Sequence, residues 1–165
     1  MNFIKFFVST IATIALASCI GEPSKSPSIQ TYTLYVNSDT ISSTKNTPVP
    51  VGDTLKITMD LNGYYDDLEY FYIKIDREYT KDSIADQEEF LKYCNPLYTN
   101  TKDGTYSFNS GVKNIRLILQ LIPQRAKQDE TQAIPVSLCL KSKCDTKEEY
   151  NPYYLNFNYY ITNKK

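Results

Sequence analysis

Residues 53–61 read Asp-Thr-Leu-Lys-Ile-Thr-Met-Asp-Leu. Leu55, Ile57, Met59 and Leu61 alternate with Thr54, Lys56, Thr58 and Asp60. That period of two turns one face of a strand to a core and the other to water. Asn62-Gly63 follows as a turn signal.

The same alternation recurs on both sides. Upstream, Thr31–Val36 sets Tyr32, Leu34 and Val36 against Thr31, Thr33 and Tyr35. Residues 37–50 are polar, with Pro48 and Pro50, and predict a loop or an irregular edge. Downstream, Glu69–Asp76 directs Phe71, Ile73 and Ile75 inward and Tyr70, Tyr72 and Lys74 outward. A short strand at Thr105–Phe108 follows Asp103-Gly104. In Lys113–Ile122 the core side is Ile115, Leu117, Leu119 and Leu121, and Pro123 ends the run. Ile134–Leu140 turns Val136, Leu138 and Leu140 inward. Pro152–Ile161 turns Tyr153, Leu155, Phe157, Tyr159 and Ile161 inward and Tyr154, Asn156, Asn158 and Tyr160 outward. Residues 83–94 change character. Ser83 is placed to N-cap, acids follow, and Ile84, Leu91 and Cys94 recur at helical spacing before Pro96, which predicts a short inserted helix.

Seven strands with mostly short connections and no βαβ alternation predict an all-β fold of two antiparallel sheets packed face to face. Their order resembles immunoglobulin-like or fibronectin-like sandwiches, with a transthyretin-like sandwich as the near alternative. The inter-sheet disulfide and the Trp of antibody domains are missing, so the resemblance is one of architecture. The domain is expected over residues 31–163. Residues 19–30, rich in Ser and Pro, are expected as a flexible tether.

The N-terminus carries a different signal. Lys5 supplies a positive start, and Phe6–Ala17 is an apolar run too short to span a bilayer as a stable helix. Leu16-Ala17-Ser18-Cys19 closes it. Together these resemble the signal peptide of bacterial lipoproteins, with its lipobox of Leu, two small residues and Cys. The resemblance implies removal of residues 1–18 and lipidation (palmitate among the acyl chains) of Cys19. Several acyl chains anchor stably where one binds marginally, each buried CH₂ contributing about 0.8 kcal/mol. Ile20 stands where an Asp would mark inner-membrane retention in the enterobacterial family, which points to an outer membrane and leaves its periplasmic and outer faces both open.

Removing residues 1–18 from the 165 leaves 147, enough for one domain with a sizeable core. It also removes Lys5, so 17 Lys and Arg face 19 acids, a net charge of −2. That balance offers no basic footprint for nucleic acid or anionic headgroups. With 0 His, the chain lacks Ser-His-Asp and Cys-His catalysis and His metal ligands. Enzymes working by carboxylates alone stay open in principle. Glu88-Glu89 and Glu148-Glu149 are adjacent and diverge, so they make no convergent pair. No catalytic residue, cofactor or metal is expected. Asp60, Asp66, Asp67 and Glu69 could contact Ca²⁺ at a turn, but their spacing matches no known loop and solvated charge is the plainer reading. Beyond Cys19, the thiols Cys94, Cys139 and Cys144 allow at most one internal disulfide, either Cys139 with Cys144 or Cys94 with one of them.

With 15 Tyr in the chain, one surface stands out. In an immunoglobulin-like order, strands 69–76, 134–140 and 152–161 are neighbours. Their outward residues then pool as Tyr70, Tyr72, Lys74, Ser137, Cys139, Lys141, Tyr154, Asn156, Asn158 and Tyr160. Rings mixed with amides and few charges suit a glycan or a protein ligand. The plainer reading is cross-strand pairing on a solvated face, or cover by the helix at 83–94. Three tripeptides, Asp39-Thr40-Ile41, Asp53-Thr54-Leu55 and Asp82-Ser83-Ile84, resemble the O-glycosylation acceptor of exported Bacteroidetes proteins. That resemblance makes Thr40, Thr54 and Ser83 candidate acceptors, against strand propensity at Thr54 and helix capping at Ser83.

The whole is similar to the small β-sandwich lipoproteins of Gram-negative, Bacteroidetes-like bacteria, which implies location and fold more than activity. The expectation is a lipid-anchored, non-enzymatic binding or interaction module of the cell envelope. The alternative is a structural or accessory subunit of a fimbrial-type assembly, which an unpaired, uncharged edge strand would favour.

Overall fold

The computed structural model describes residues 26–43, 47–126, 131–143 and 152–163. Ten strands and one short helix follow in chain order: β1 (Ser28–Val36), β2 (Asp39–Ile41), β3 (Val49–Pro50), β4 (Leu55–Asn62), β5 (Leu68–Ile75), β6 (Thr80–Ile84), α1 (Gln87–Leu91), β7 (Thr105–Ser107), β8 (Asn114–Pro123), β9 (Gln132–Ser142) and β10 (Tyr153–Thr162).

Two five-stranded sheets form, ordered β2-β1-β4-β8-β6 and β3-β10-β9-β5-β7. Every pairing is antiparallel except β3 with β10. Without the short β2, β3 and β7, the strands run A to G. Sheets A-B-E-D and C-F-G are then β1-β4-β8-β6 and β5-β9-β10, the immunoglobulin-like arrangement. The fold is an all-β sandwich with one short helix.

Alternation builds the core. In β4, Leu55, Ile57, Met59 and Leu61 are buried while the residues between them are half-exposed. The inward residues of β5, β8 and β9 meet them, with Phe71, Ile73, Leu119, Leu121, Leu138 and Leu140 fully shielded. In β10, Tyr159 and Ile161 are fully buried, whereas Tyr153, Leu155 and Phe157 are only partly covered.

Four expectations change. Residues 80–84 form β6, the D strand, paired in register with β8 from Thr80↔Pro123 to Ile84↔Leu119. One apolar residue among Thr80–Ile84 gave no strand period; the ladder offered by β8 decides it. Ser83 therefore lies in a strand and caps nothing. The helix shrinks to Gln87–Leu91 behind Asp86, which is left-handed at φ 52° and makes no side-chain cap bond. Its Phe90 is buried edge-on against Tyr106 and Phe108, at ring-centre distances of 5.3 and 6.1 Å. Residues 37–50, expected as a loop or an irregular edge, contribute the short edge strands β2 and β3. Finally, β1 begins at Ser28, inside the stretch expected as a tether, and is bulged between Thr31 and Thr33. The bulge flips Tyr32 away from Leu34 and Val36 onto the outer face, 55% exposed.

Candidate functional site

Register brings the outward residues of β5, β9 and β10 into rows. Tyr72 lies opposite Cys139, and Cys139 opposite Tyr154. The next row is Lys74, Ser137 and Asn156. Asn158 faces Pro135, and Tyr160 faces Ala133. Tyr70 stands opposite Lys141 on one side and Ser107 of β7 on the other. The residues expected to pool on one surface therefore do so. The helix does not cover them: it follows β6 of the other sheet, and its Phe90 is buried in the core against Tyr106 and Phe108.

A groove of about 640 Å³ crosses this face, lined by Lys74, Asp76, Pro135, Ser137, Asn156 and Asn158 together with backbone of the core-facing residues between them. Tyr154, 59% exposed, and Tyr72 flank one end along the strands, and Tyr160 the other. Ser137 and the two Asn side chains supply donors and acceptors at the floor. Asp76 and Pro135 were not singled out from the sequence. Asp76 ends the β5 run and Pro135 interrupts an apolar one, so neither carried a pattern, and only the sheet packing places them here.

Cys139 points outward yet is buried, sunk in the row between Tyr72 and Tyr154. Its Sγ lies 4.0 Å from the Tyr70 hydroxyl. Burial pushes the Tyr70 phenol up to about 12, with the Cys139 sulfur adding to the shift. The neighbouring Cys139 sulfur raises the Tyr154 phenol as well. Both hydroxyls therefore stay protonated at neutral pH and can donate to a ligand.

Comparison of the chain with protein-family models, with curated proteins and with solved structures finds no match.

The other sequence candidates scatter. Cys94 and Cys139 are both free buried thiols and are not joined to each other; Cys144, the third thiol of the open pairings, lies outside the described residues. Burial pushes the Cys94 thiol up to about 11. The acids of 60–69 do not converge. Asp60 pairs with Arg116, Glu69 with Lys141 at 3.1 Å, and Asp67 accepts from Gly111 N–H at 2.7 Å and Ser110 Oγ at 3.2 Å. Among the described residues no three His, Cys, Asp or Glu groups gather where a metal could sit. Glu89 of α1 pairs with Lys92 just after the helix, and Glu148-Glu149 lies outside the described residues.

Thr40 is exposed on the edge strand β2. Thr54 precedes β4, its N–H donating to Asn37 Oδ1 at 3.0 Å. Ser83 is half-buried, its Oγ donating to Gln120 Oε1 at 3.3 Å. Of the three hydroxyls, Thr40 is the accessible one. Cys19 and the rest of the anchor signal lie outside the described residues. Among those described, no helix is long and apolar enough to cross a membrane.

Proposed function

We propose that this chain is a lipid-anchored protein of the cell envelope whose sandwich domain binds a glycan, without catalysis, on the outer face of β5, β9 and β10. The anchor reading rests on the lipobox at Leu16–Cys19. The binding reading rests on one observation: an open groove floored by Ser137, Asn156 and Asn158 and flanked by Tyr72, Tyr154 and Tyr160. Side-chain amides and a hydroxyl match the hydroxyl-rich edge of a sugar, while tyrosine rings offer an apolar face with a polar tip. The groove is open at its surface, which suits an extended chain better than an enclosed small molecule.

Titration of the full-length chain with a panel of neutral oligosaccharides tests it. A binder is expected in the panel, and Tyr72→Ala combined with Tyr154→Ala should weaken it by about tenfold or more. Affinity unchanged by that pair removes the face from the account. Capture of an envelope protein in place of any sugar, lost in the same double variant, would move the ligand class from glycan to protein.

A further inference from the structure

The sandwich has four sheet edges, and three are blunted. β6 is five residues long and carries Lys81 and Asp82, the latter bound to Arg77 at 3.0 Å. β7 is three residues long and its outer side is occupied: Asn95 N–H donates to the Ser107 carbonyl at 2.7 Å, and Asn100 bridges Thr105. β2 covers β1 over Leu34–Val36, and beyond it β1 carries its bulge. Short length, charge, cover and bulges are the devices by which proteins keep edges from pairing.

The fourth edge is protected only at one end. β3 is only two residues long and covers β10 at Ile161 and Thr162. Over Tyr153–Phe157, no strand among the described residues pairs with the outer side of β10. β1 passes close by, but its ladders go to β2 and β4. The strand is uncharged from Tyr153 to Thr162, contains no proline, and pairs with β9 without a register shift. The Thr162 carbonyl accepts from Val51 N–H at 2.9 Å on the outer side. Strand alternation then turns the N–H and C=O of Tyr154 and Asn156 to that same side. On the core side, Tyr153, Leu155 and Phe157 are left half-covered, in contrast to Tyr159 and Ile161 near β3.

We propose that this edge pairs antiparallel with the β10 of a second copy of the chain, centred on Leu155. In that register Tyr154 lies opposite the partner's Asn156, and Asn156 opposite the partner's Tyr154. These two pairs exchange four backbone hydrogen bonds. Leu155 meets the partner's Leu155, and Tyr153 meets the partner's Phe157, which covers the apolar side chains that one copy leaves half-exposed. The strand meets its own sequence with no like charges, a condition that a charged edge fails on self-pairing. The paired window ends at Phe157, short of the residues that β3 covers. Such a dyad would join two sheets into one and place two Tyr/Asn faces side by side.

Sedimentation velocity and amide hydrogen exchange on the full-length chain test this. The wild type should associate to a dimer as concentration rises, with the Tyr154 and Asn156 amides slowing in step. Asn156→Pro removes only an outward N–H, which an edge strand tolerates, and should weaken association by about tenfold or more. Tyr154→Lys, at an exposed position that leaves the fold intact, should do the same by setting a lysine on each side of the dyad. A wild type that stays monomeric at every concentration overturns the proposal, as does association undiminished in both variants. Protection of the two amides only on adding a different protein also overturns it, since the occupant is then not a second copy.

Discussion

Arg116 holds Asp60 with both arms of its guanidinium, Nε to Oδ1 at 2.7 Å and Nη2 to Oδ2 at 2.9 Å. The two residues are directly opposite in the β4–β8 ladder. Tyr32, turned outward by the β1 bulge, donates to Oδ2 at 2.9 Å and lies with its ring 5.2 Å from the guanidinium carbon. The cluster ties β1, β4 and β8 together on the face opposite the groove.

The Arg116 hydrogen bonds hold the Asp60 carboxyl below its ordinary range, Tyr32 adding to them and burial opposing. A carboxylate whose folded value is depressed contributes stability above its unfolded value, about 3.9, and loses it as pH falls through the folded one. Both partners are partly solvated, so Asp60→Asn should cost only about 0.5–1 kcal/mol at neutral pH. Urea unfolding at stepped pH should show that difference shrink below pH of about 4. A difference that stays constant into strong acid contradicts the assignment.

Thr80 of β6 and Tyr159 of β10 share a hydrogen bond between their hydroxyls, both side chains fully buried, and so link the two sheets through the core. Tyr159→Phe should cost about 1–3 kcal/mol by leaving the Thr80 hydroxyl without a partner, and adding Thr80→Val should recover part of it. Burial also pushes the Tyr159 and Tyr106 phenols up to about 12. Their folded values exceed the unfolded one of about 10, so their contribution is complete below pH of about 10 and is lost as pH rises toward 12. Thermal unfolding on the alkaline side should decline less steeply in Tyr159→Phe and in Tyr106→Phe than in the wild type.

Gly104 turns the chain into β7 at φ 75° and lies against β5, where a Cβ would stand 2.7 Å from the Ile73 carbonyl oxygen. Its own carbonyl accepts from Ile73 N–H at 2.9 Å, so the turn cannot back away without losing that bond. Gly111, at φ 87°, has nothing within 4 Å of such a Cβ. Gly111→Ala should therefore carry only the backbone penalty, about 1 kcal/mol, and Gly104→Ala that penalty plus a clash, at least about 1 kcal/mol more. Equal losses for the two in chemical denaturation would show that the close approach to Ile73 is not felt.

Strands with several apolar residues at every second position were legible directly. Leu55–Leu61, Phe71–Ile75, Ile115–Leu121 and Tyr153–Ile161 each turn the expected side chains inward. From their order came the neighbours β5, β9 and β10, and hence most of the candidate face. β6 was not legible, because its ladder with β8 and the Thr80–Tyr159 bond are long-range and leave no local period. Tyr32 was misplaced because a bulge adds one residue to the count, and nothing in Thr31–Thr33 announces it.

The alternation of side chains within single segments, set by covalent geometry, was enough to establish which residues face a core and that the core lies between two sheets. It could not establish where a strand ends against its neighbour, because that depends on groups far apart in the chain. Only the packed sheets put Asp76 and Pro135 beside Asn156 and Asn158, sank Cys139 between two tyrosines, and left β10 without a strand partner among the described residues where β3 stops. Each of these is set by backbone hydrogen bonds satisfied, or left over, between segments that share no local sequence signal.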